Sequence, residues 1–435
     1  MDRKYIIRGG KPLTGDVKIS GAKNSAVAIL PATIFVRGVV TLDNVPDISD
    51  VHAMLDILKF LGARVIEYNG PEHKLVIDTS GVRPHPIGHA LTGTCRASYY
   101  LLGALLGCFG TADVAMPGGC AFGSRPINLH IMGFRRLGAE VEELEHFAGG
   151  GGGVTIRSNG LRGSRISFDK ESVGATINVM MAAAFAAGRT TIQNAAREPH
   201  IVDLASFLNQ LGARIMGAGT ENITIDGVTV DSLRRSNISH SIIADQIEAG
   251  TFMTAAAATR GNVTLYNVIP THLRPITDAL TATGVCVEED EIEETVRVYV
   301  PGNTPLSGTN ITARPYPAFP TDMQPQMTAF LSTCGTDSKV SEEVWDTRFG
   351  YVRELRKFGA KIIQYDNKNI KVEACLSGLH GASVEALDLR AGAAMLVAGL
   401  AAEGVTEVTH IEYIERGYEH VVSKLEGLGA DITVI

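Results

Sequence analysis

The stretch "FLGARV" at residues 60–65 returns five more times with small changes: "RLGAEV" at 136–141, "QLGARI" at 210–215, "ATGVCV" at 282–287, "KFGAKI" at 357–362 and "GLGADI" at 427–432. The shared glycines, Gly62, Gly138, Gly212, Gly284, Gly359 and Gly429, lie 76, 74, 72, 75 and 70 residues apart. So even a spacing makes the chain six copies of one unit. Ahead of each glycine runs an amphipathic pattern, as in "SDVHAMLDILKFLGA" (49–63) and "YEHVVSKLEGLGA" (418–430), apolar at i, i+3, i+4 and i+7. That spacing predicts a helix that the glycine ends. A strand, a turn and a second strand follow, as in "RVIEYNGPEHKLVID" (64–78). After a loop comes a second helix of small residues, such as "GATINVMMAAAFAAG" (174–188) or "RAGAAMLVAGLAAEG" (390–404). Small side chains all round predict packing on every side, so these helices are expected inside and the charged ones outside.

The last copy stops after one strand, "ADITVI", and the first residues, "KYIIRGGKPLTGDVKIS" (4–20), supply the missing strand and the loop after it. Three units per domain then give one domain at 23–240 and another made of 1–22 and 241–435. Two chain crossings, near "SGAK" and "SIIAD", would join them as a hinge beside a cleft. With 435 residues, 45% hydrophobic and 20% charged, the chain is long enough for two packed cores and unlike a disordered one. A net charge of −8 argues against sequence-blind nucleic-acid binding, so any anionic ligand needs a local cluster of Lys and Arg. The six cysteines form no C-x-x-C pair, no leader stands at the start, and "MMAAAFAAG" is well short of the roughly 20 residues of a membrane span. A cytoplasmic setting with no membrane partner is expected.

Repetition also directs the search for chemistry, because equivalent loops recur around each domain. Before the charged helices, five of the six copies place an arginine 10 to 15 residues ahead of their glycine: Arg125, Arg197, Arg274, Arg348 and Arg416. A helix start with its free N–H groups favours anions, and a guanidinium there strengthens the preference. Before the small-residue helices stand Lys23, Asn24, Arg96, Lys170, Asp322, Asp388 and Arg390, where a purely structural repeat would leave capping residues. In "PGGCAFGSRPIN" (117–128), Cys120 is either a small packing residue or a thiol whose thiolate is favoured by Arg125 and a helix start near Pro126. Cys95, beside Arg96, is the next candidate thiol. Asp322 in "YPAFPTDMQPQ" is either a helix cap or a base whose pKa partial burial in an apolar loop would raise. His130, His272 and His420 read as capping or surface groups. No P-loop, dinucleotide fingerprint or zinc spacing is present, so no cofactor and no metal are expected.

Taken together, "ISGAKNSA", "CRAS", "PGGCAFGSRPINLH", "DKESVGATIN", "AAREPHIVD", "IEAGTF", "PAFPTDMQ", "TRF", "DLRAGA" and "ERGYE" resemble, in order and over nearly the whole chain, the UDP-N-acetylglucosamine enolpyruvyl transferases. "KNSAVAILPA" and "DLRAGA" look closer to the second copy of many Gram-positive bacteria. The resemblance implies the α/β enolpyruvyl transferase fold, two inside-out barrel domains of three units each with a double-stranded hinge. It implies transfer of the enolpyruvyl group of phosphoenolpyruvate to the 3′-hydroxyl of UDP-N-acetylglucosamine with release of phosphate, and alkylation of the cysteine by fosfomycin. Matched residue by residue, Cys120 is the general acid and Asp322 the base. Lys23, Asn24, Arg125 and Arg416 would hold phosphoenolpyruvate, where Arg forks suit planar anions. Asn24, Arg96, Arg125, Pro126, Ile127, Asn128, Leu129, Lys170, Ser172, Val173, Gly174, Asp322 and Val344 would position the sugar nucleotide. Arg348, Asp388 and Arg390 would complete the charged lining.

The chain departs from the family pattern at four of these neighbourhoods: Asn128 replaces an acid, Glu171 a small apolar residue, His200 a glutamate and Gln246 an arginine. Asn128 can still hydrogen-bond a uracil edge but carries no charge, which leaves nucleotide preference open, and Gln246 lies near the proposed hinge. The competing readings are transfer to shikimate phosphate or another uridine nucleotide, and a slow sugar-nucleotide-binding paralogue.

Overall fold

The computed structural model describes residues 3–70, 72–116, 127–147, 151–229, 232–233, 238–302 and 304–435. In all six copies the repeat glycine has a left-handed backbone, with φ of 107° at Gly62, 85° at Gly138, 105° at Gly212, 95° at Gly284, 87° at Gly359 and 88° at Gly429. A Cβ is disfavoured there, which is why the position is glycine in every copy. The conformation lets each helix end satisfy its last carbonyls. The Gly62 N–H donates to the Lys59 carbonyl and the Ala63 N–H to that of Leu58, each at 2.9 Å. The same pair of bonds closes the helices at Gly138, Gly212 and Gly429.

One unit can be followed from Arg165 to Asp226. Strand Arg165–Ser167 leads to helix Val173–Ala183, strand Arg189–Gln193, helix Pro199–Gln210 and strands Arg214–Met216 and Asn222–Asp226. In space the strands run Arg214–Met216, Asn222–Asp226, Arg189–Gln193, Arg165–Ser167, the last contact parallel and the others antiparallel. Alternate residues of Asn222–Asp226 are buried, so one face of the sheet meets the helices and the other faces outward. Among the described residues there are five such four-stranded sheets, all open. A sixth has three strands, with a parallel bridge from Ile87 to Val114 in place of the fourth.

A left-handed asparagine ties the parallel strand of three units to its neighbour. Asn44, Asn194 and Asn267, with φ of 56°, 54° and 56°, donate from their amides to the carbonyls of Ile242, Phe168 and Ile19 at 2.7, 3.0 and 2.7 Å. Each acceptor lies one residue past its strand, where a carbonyl would otherwise lose its ladder partner.

The chain divides into two compact units, Gly21–Ile243 and Met1–Ser20 with Ala244–Ile435. Strand Tyr5–Arg8 sits between Val405–Thr409 and Asp431–Val434, antiparallel to both. Strand Thr14–Lys18 precedes helix Lys23–Ala32 in sequence but pairs with Asn262–Tyr266; Ile238–Ser241 precedes helix Gln246–Ala258 but pairs with Val39–Asp43. Two copies have thus exchanged their leading strands.

Each unit has its own apolar core, built around the small-residue helices. In Gly21–Ile243 these are Lys23–Ala32, Tyr100–Phe109 and Val173–Ala183; in the other unit, Gln246–Ala258, Gln324–Leu331 and Leu389–Ala401. A Cβ at Gly103 would stand 2.4 Å from the Asn178 carbonyl oxygen, so bulk at this crossing would force the helices apart. The Gly103 N–H instead donates to the Asn178 side chain at 2.7 Å. No helix among the described residues is long and apolar enough to cross a membrane.

Candidate active site

Asp322 lies in a single turn, Thr321–Met323, where strand Ile311–Ala313 gives way to the buried helix Gln324–Leu331. Its two carboxylate oxygens are taken by different arginines. Arg348 Nη2 donates to Oδ1 at 3.1 Å and Arg390 Nη2 to Oδ2 at 2.8 Å. Both arginine side chains are at least nine-tenths buried, while Asp322 keeps 29% of its own exposed. The apolar loop expected around Asp322 is therefore corrected: two guanidinium groups bracket it. Arg348 comes from the start of the charged helix of the same copy, in the turn Arg348–Tyr351, and Arg390 from the first turn of Leu389–Ala401 in the next copy.

Buried polar contacts orient Arg390 in turn. Its Nη1 reaches the Tyr418 hydroxyl at 3.4 Å, and that hydroxyl also meets Thr251 Oγ1 at 2.9 Å and Gln326 Nε2 at 3.2 Å. Asp388 is the N-cap of the same helix, accepting from the Arg390 and Ala391 N–H groups at 2.8 and 3.1 Å. Arg416 is half-buried after the short helix Glu412–Glu415. Val344 donates its N–H to Glu342 at 2.8 Å. An open cavity of about 640 Å³ in this unit, lined among others by Arg274, Asn310, Tyr316 and Phe319, includes none of the residues that the resemblance assigns to the site.

In Gly21–Ile243 the anchoring is thinner. Lys23 opens its helix and places Nζ 2.7 Å from Oδ2 of the buried Asp50; Asn24, next along, is half-buried. Behind them Ser25 Oγ donates to Asp203, whose other oxygen faces His240 Nε2 at 2.8 Å. Ile127 and Leu129 are buried, and Asn128 between them is exposed at the first turn of Asn128–Arg136. Lys170 is exposed, and Ser172 caps helix Val173–Ala183 by accepting from the Ala175 N–H at 3.4 Å. Val173 and Gly174 begin that helix. A Cβ at Gly174 would come 2.6 Å from His130 Nε2, so the glycine leaves room for this ring. Arg96 stands 5.9 Å from the centre of the Tyr99 ring, which in turn lies 6.1 Å from the His130 ring. Cys120, Arg125 and Pro126 lie outside the described residues.

Other expectations change. His130 is no surface group: it is 8% exposed, and burial, helped by the Arg96 charge, pushes its imidazole down to about 4. Cys95 is a packing residue in the core. The arginine series is not uniform either. Arg274 lies inside helix Pro270–Thr281 and pairs with Glu289 at 3.5 Å, while Arg197 meets Glu171 at 2.9 Å and Glu221 at 3.7 Å. Glu171, unusual for the family pattern, thus has a cation of its own. Sequence reading passed over Asp50, Glu342 and Tyr418. Only Glu342 left a local signal, since the alternation of "SKVSE" (338–342) puts it on the inward face with Ser338 and Val340. Among the described residues, no group of three or more His, Cys, Asp or Glu is gathered as a metal site would require.

Comparison with known proteins places this geometry. A family model described as EPSP synthase (3-phosphoshikimate 1-carboxyvinyltransferase) matches residues 7–425. The enolpyruvyl transferase NikO from Streptomyces tendae superposes with a TM-score of 0.87 at 28% identity, covering 100% of this chain and 99% of its own. EPSP synthase from Acinetobacter baumannii, at 18% identity and a TM-score of 0.74 over the full length of both, shares the fold. The architecture is the enolpyruvyl transferase fold. UDP-N-acetylglucosamine 1-carboxyvinyltransferase 3 of Caldanaerobacter subterraneus subsp. tengcongensis is 48% identical over 429 residues, 99% of this chain and 98% of that one. The UDP-N-acetylglucosamine 1-carboxyvinyltransferase of Clostridium botulinum is 48% identical over 436 residues, 99% of each. The chain belongs to the UDP-N-acetylglucosamine 1-carboxyvinyltransferase family.

Proposed function

We propose that this protein transfers the enolpyruvyl group of phosphoenolpyruvate to the 3′-hydroxyl of UDP-N-acetylglucosamine and releases phosphate, a cytoplasmic step toward peptidoglycan and hence toward cell-wall growth and division. The observation that carries the reading is the full-length likeness, at 48% identity, to enzymes named for this reaction. The setting of Asp322 supports it: a carboxylate fixed at both oxygens and still partly exposed is suited to accept a hydroxyl proton.

In this reading Asp322 takes the proton of the 3′-hydroxyl as the sugar oxygen bonds to C2 of phosphoenolpyruvate and Cys120 delivers a proton to C3. The tetrahedral adduct then loses a proton from its new methyl group and phosphate from C2, which restores the double bond. Lys23, Arg125 and Arg416 carry charges opposite to the phosphate and carboxylate, with Asn24 beside Lys23. Arg96, residues 125–129, Lys170, Ser172, Val173, Gly174 and Val344 receive the sugar nucleotide. Arg348 and Arg390 hold the base still, and Asp388 holds the helix that carries Arg390.

Phosphate release from phosphoenolpyruvate should require UDP-N-acetylglucosamine; release with shikimate 3-phosphate and not with the sugar nucleotide overturns the reading. A panel of uridine nucleotides run alongside tests the uncharged Asn128. Fosfomycin should alkylate and inactivate the enzyme, and Cys120→Ser should abolish alkylation; full alkylation of that variant means another thiol reacts.

A further inference from the structure

Glu342 ends strand Ser338–Glu342 with no exposed surface. A buried carboxylate is costly unless its oxygens are hydrogen-bonded. Here the donors come from both segments that carry acceptor-side residues. Oε2 accepts from the Thr321 hydroxyl at 2.8 Å, and Thr321 is the residue before Asp322. Oε1 accepts from the backbone N–H groups of Val344 at 2.8 Å and Trp345 at 3.1 Å. The strand is itself fixed, because the Glu342 N–H donates to the Lys368 carbonyl at 2.8 Å and Glu342 pairs in parallel register with Ala313. Burial pushes the Glu342 pKa up, and the three hydrogen bonds and the nearby Arg348 act against that push.

We infer that Glu342 is the positioning residue that sets the proton-accepting Asp322 turn and the nucleotide-facing Val344 segment in one register. The inference rests on the reaction proposed above and goes beyond it in assigning a shared scaffold to two of its steps. Glu342 does not touch substrate. One oxygen fixes where the base stands, and the other fixes the backbone that meets the acceptor. Thr321→Val removes only the first link and keeps the side-chain volume. Glu342→Gln keeps an oxygen for the two backbone donors and leaves its amide facing the Thr321 hydroxyl, which can turn to accept. Glu342→Ala removes both links and takes away the acceptor of all three of these hydrogen bonds.

The test is steady-state kinetics of the full chain with both substrates varied. Expected for Glu342→Ala is a kcat lower by about 100-fold, the scale of a small misplacement of reacting groups. Its KM for UDP-N-acetylglucosamine should rise about tenfold, with KM for phosphoenolpyruvate within about twofold, because the lost link serves only the acceptor side. Thr321→Val should lower kcat about tenfold and leave the acceptor KM alone, and Glu342→Gln should retain kcat within about threefold. Ile370→Val, a packing change in the same sheet, should leave both constants at parental values. The inference is overturned if Thr321→Val has parental kcat, if Glu342→Gln is as damaged as Glu342→Ala, or if Ile370→Val reproduces the split. Thr321→Val decides the matter even if Glu342→Ala fails to fold. A parent enzyme that releases no phosphate with the sugar nucleotide overturns the reaction assignment as well, whereas an active parent with unaffected variants overturns this inference alone.

Discussion

Asp322 and Lys23, each at the start of a buried helix in a different compact unit, are held in opposite ways. Two arginines, Arg348 of its own copy and Arg390 of the next, grip Asp322, and a buried hydroxyl orients Arg390. Lys23 has a carboxylate beside it from the neighbouring helix of its own copy. An anionic substrate competes with Asp50 for Lys23, whereas a hydroxyl donor approaching Asp322 meets an acceptor already locked in place. In the proposed reaction the base would be in place before substrate arrives, and the cation would be adjusted by it.

That contrast can be broken by substitution. Asp322→Asn removes the proton acceptor and should lower kcat about 1,000-fold, with a loss of thermal stability because the buried Arg348 and Arg390 lose their carboxylate; a variant within tenfold of the parent in kcat would mean the proton goes elsewhere. Arg390→Lys keeps charge but not the fork that reaches both Asp322 and Tyr418, and should lower kcat about 100-fold. Asp50→Asn should move KM for phosphoenolpyruvate by less than about tenfold, because it removes an anchor and a competitor together. If Asp50→Asn proves as harmful as Arg390→Lys, the two sides are anchored alike and the contrast is wrong.

A smaller test concerns stability. Because His130 titrates near 4 in the folded protein against an ordinary 6.5, the unfolded chain binds a proton between those pH values that the folded chain refuses. Stability should therefore be full above pH 6.5 and fall as pH drops toward 4, by at most about 3 kcal/mol from this group. His130→Gln should flatten that part of the curve in urea titrations at several pH values. An unchanged slope would show that the ring is protonated in place.

The six-unit pattern was legible because its signal is local: one glycine at the end of one amphipathic helix, repeated. Arg348, Arg390 and Asp322 were legible as a charged group through family likeness, but their mutual grip was not, since Arg390 comes from the next copy and nothing in "FPTDMQ" points to "DLRAGA". The apolar setting expected for Asp322 failed for the same reason, as flanking prolines describe the loop and not what packs over it. The low-pKa setting of His130 comes from burial and the Arg96 charge, which the local sequence does not show. The asparagine ties at Asn44, Asn194 and Asn267 recur in the sequence at matching places, yet the carbonyls they meet, as far as 248 residues away for Asn267, become visible only once the strands are paired.

The exchanged leading strands set an order of assembly on the ribosome. The sheet of Val39–Asp43 waits for Ile238–Ser241, and Tyr5–Arg8 waits for Val405–Thr409 and Asp431–Val434. Such distant pairings are slow to form. The unit Gly21–Ile243 can therefore complete its core while the other is still being translated, and the strands Tyr5–Arg8 and Thr14–Lys18 stay unpaired, exposing backbone edges to other chains, until Val405–Thr409 and Asn262–Tyr266 emerge.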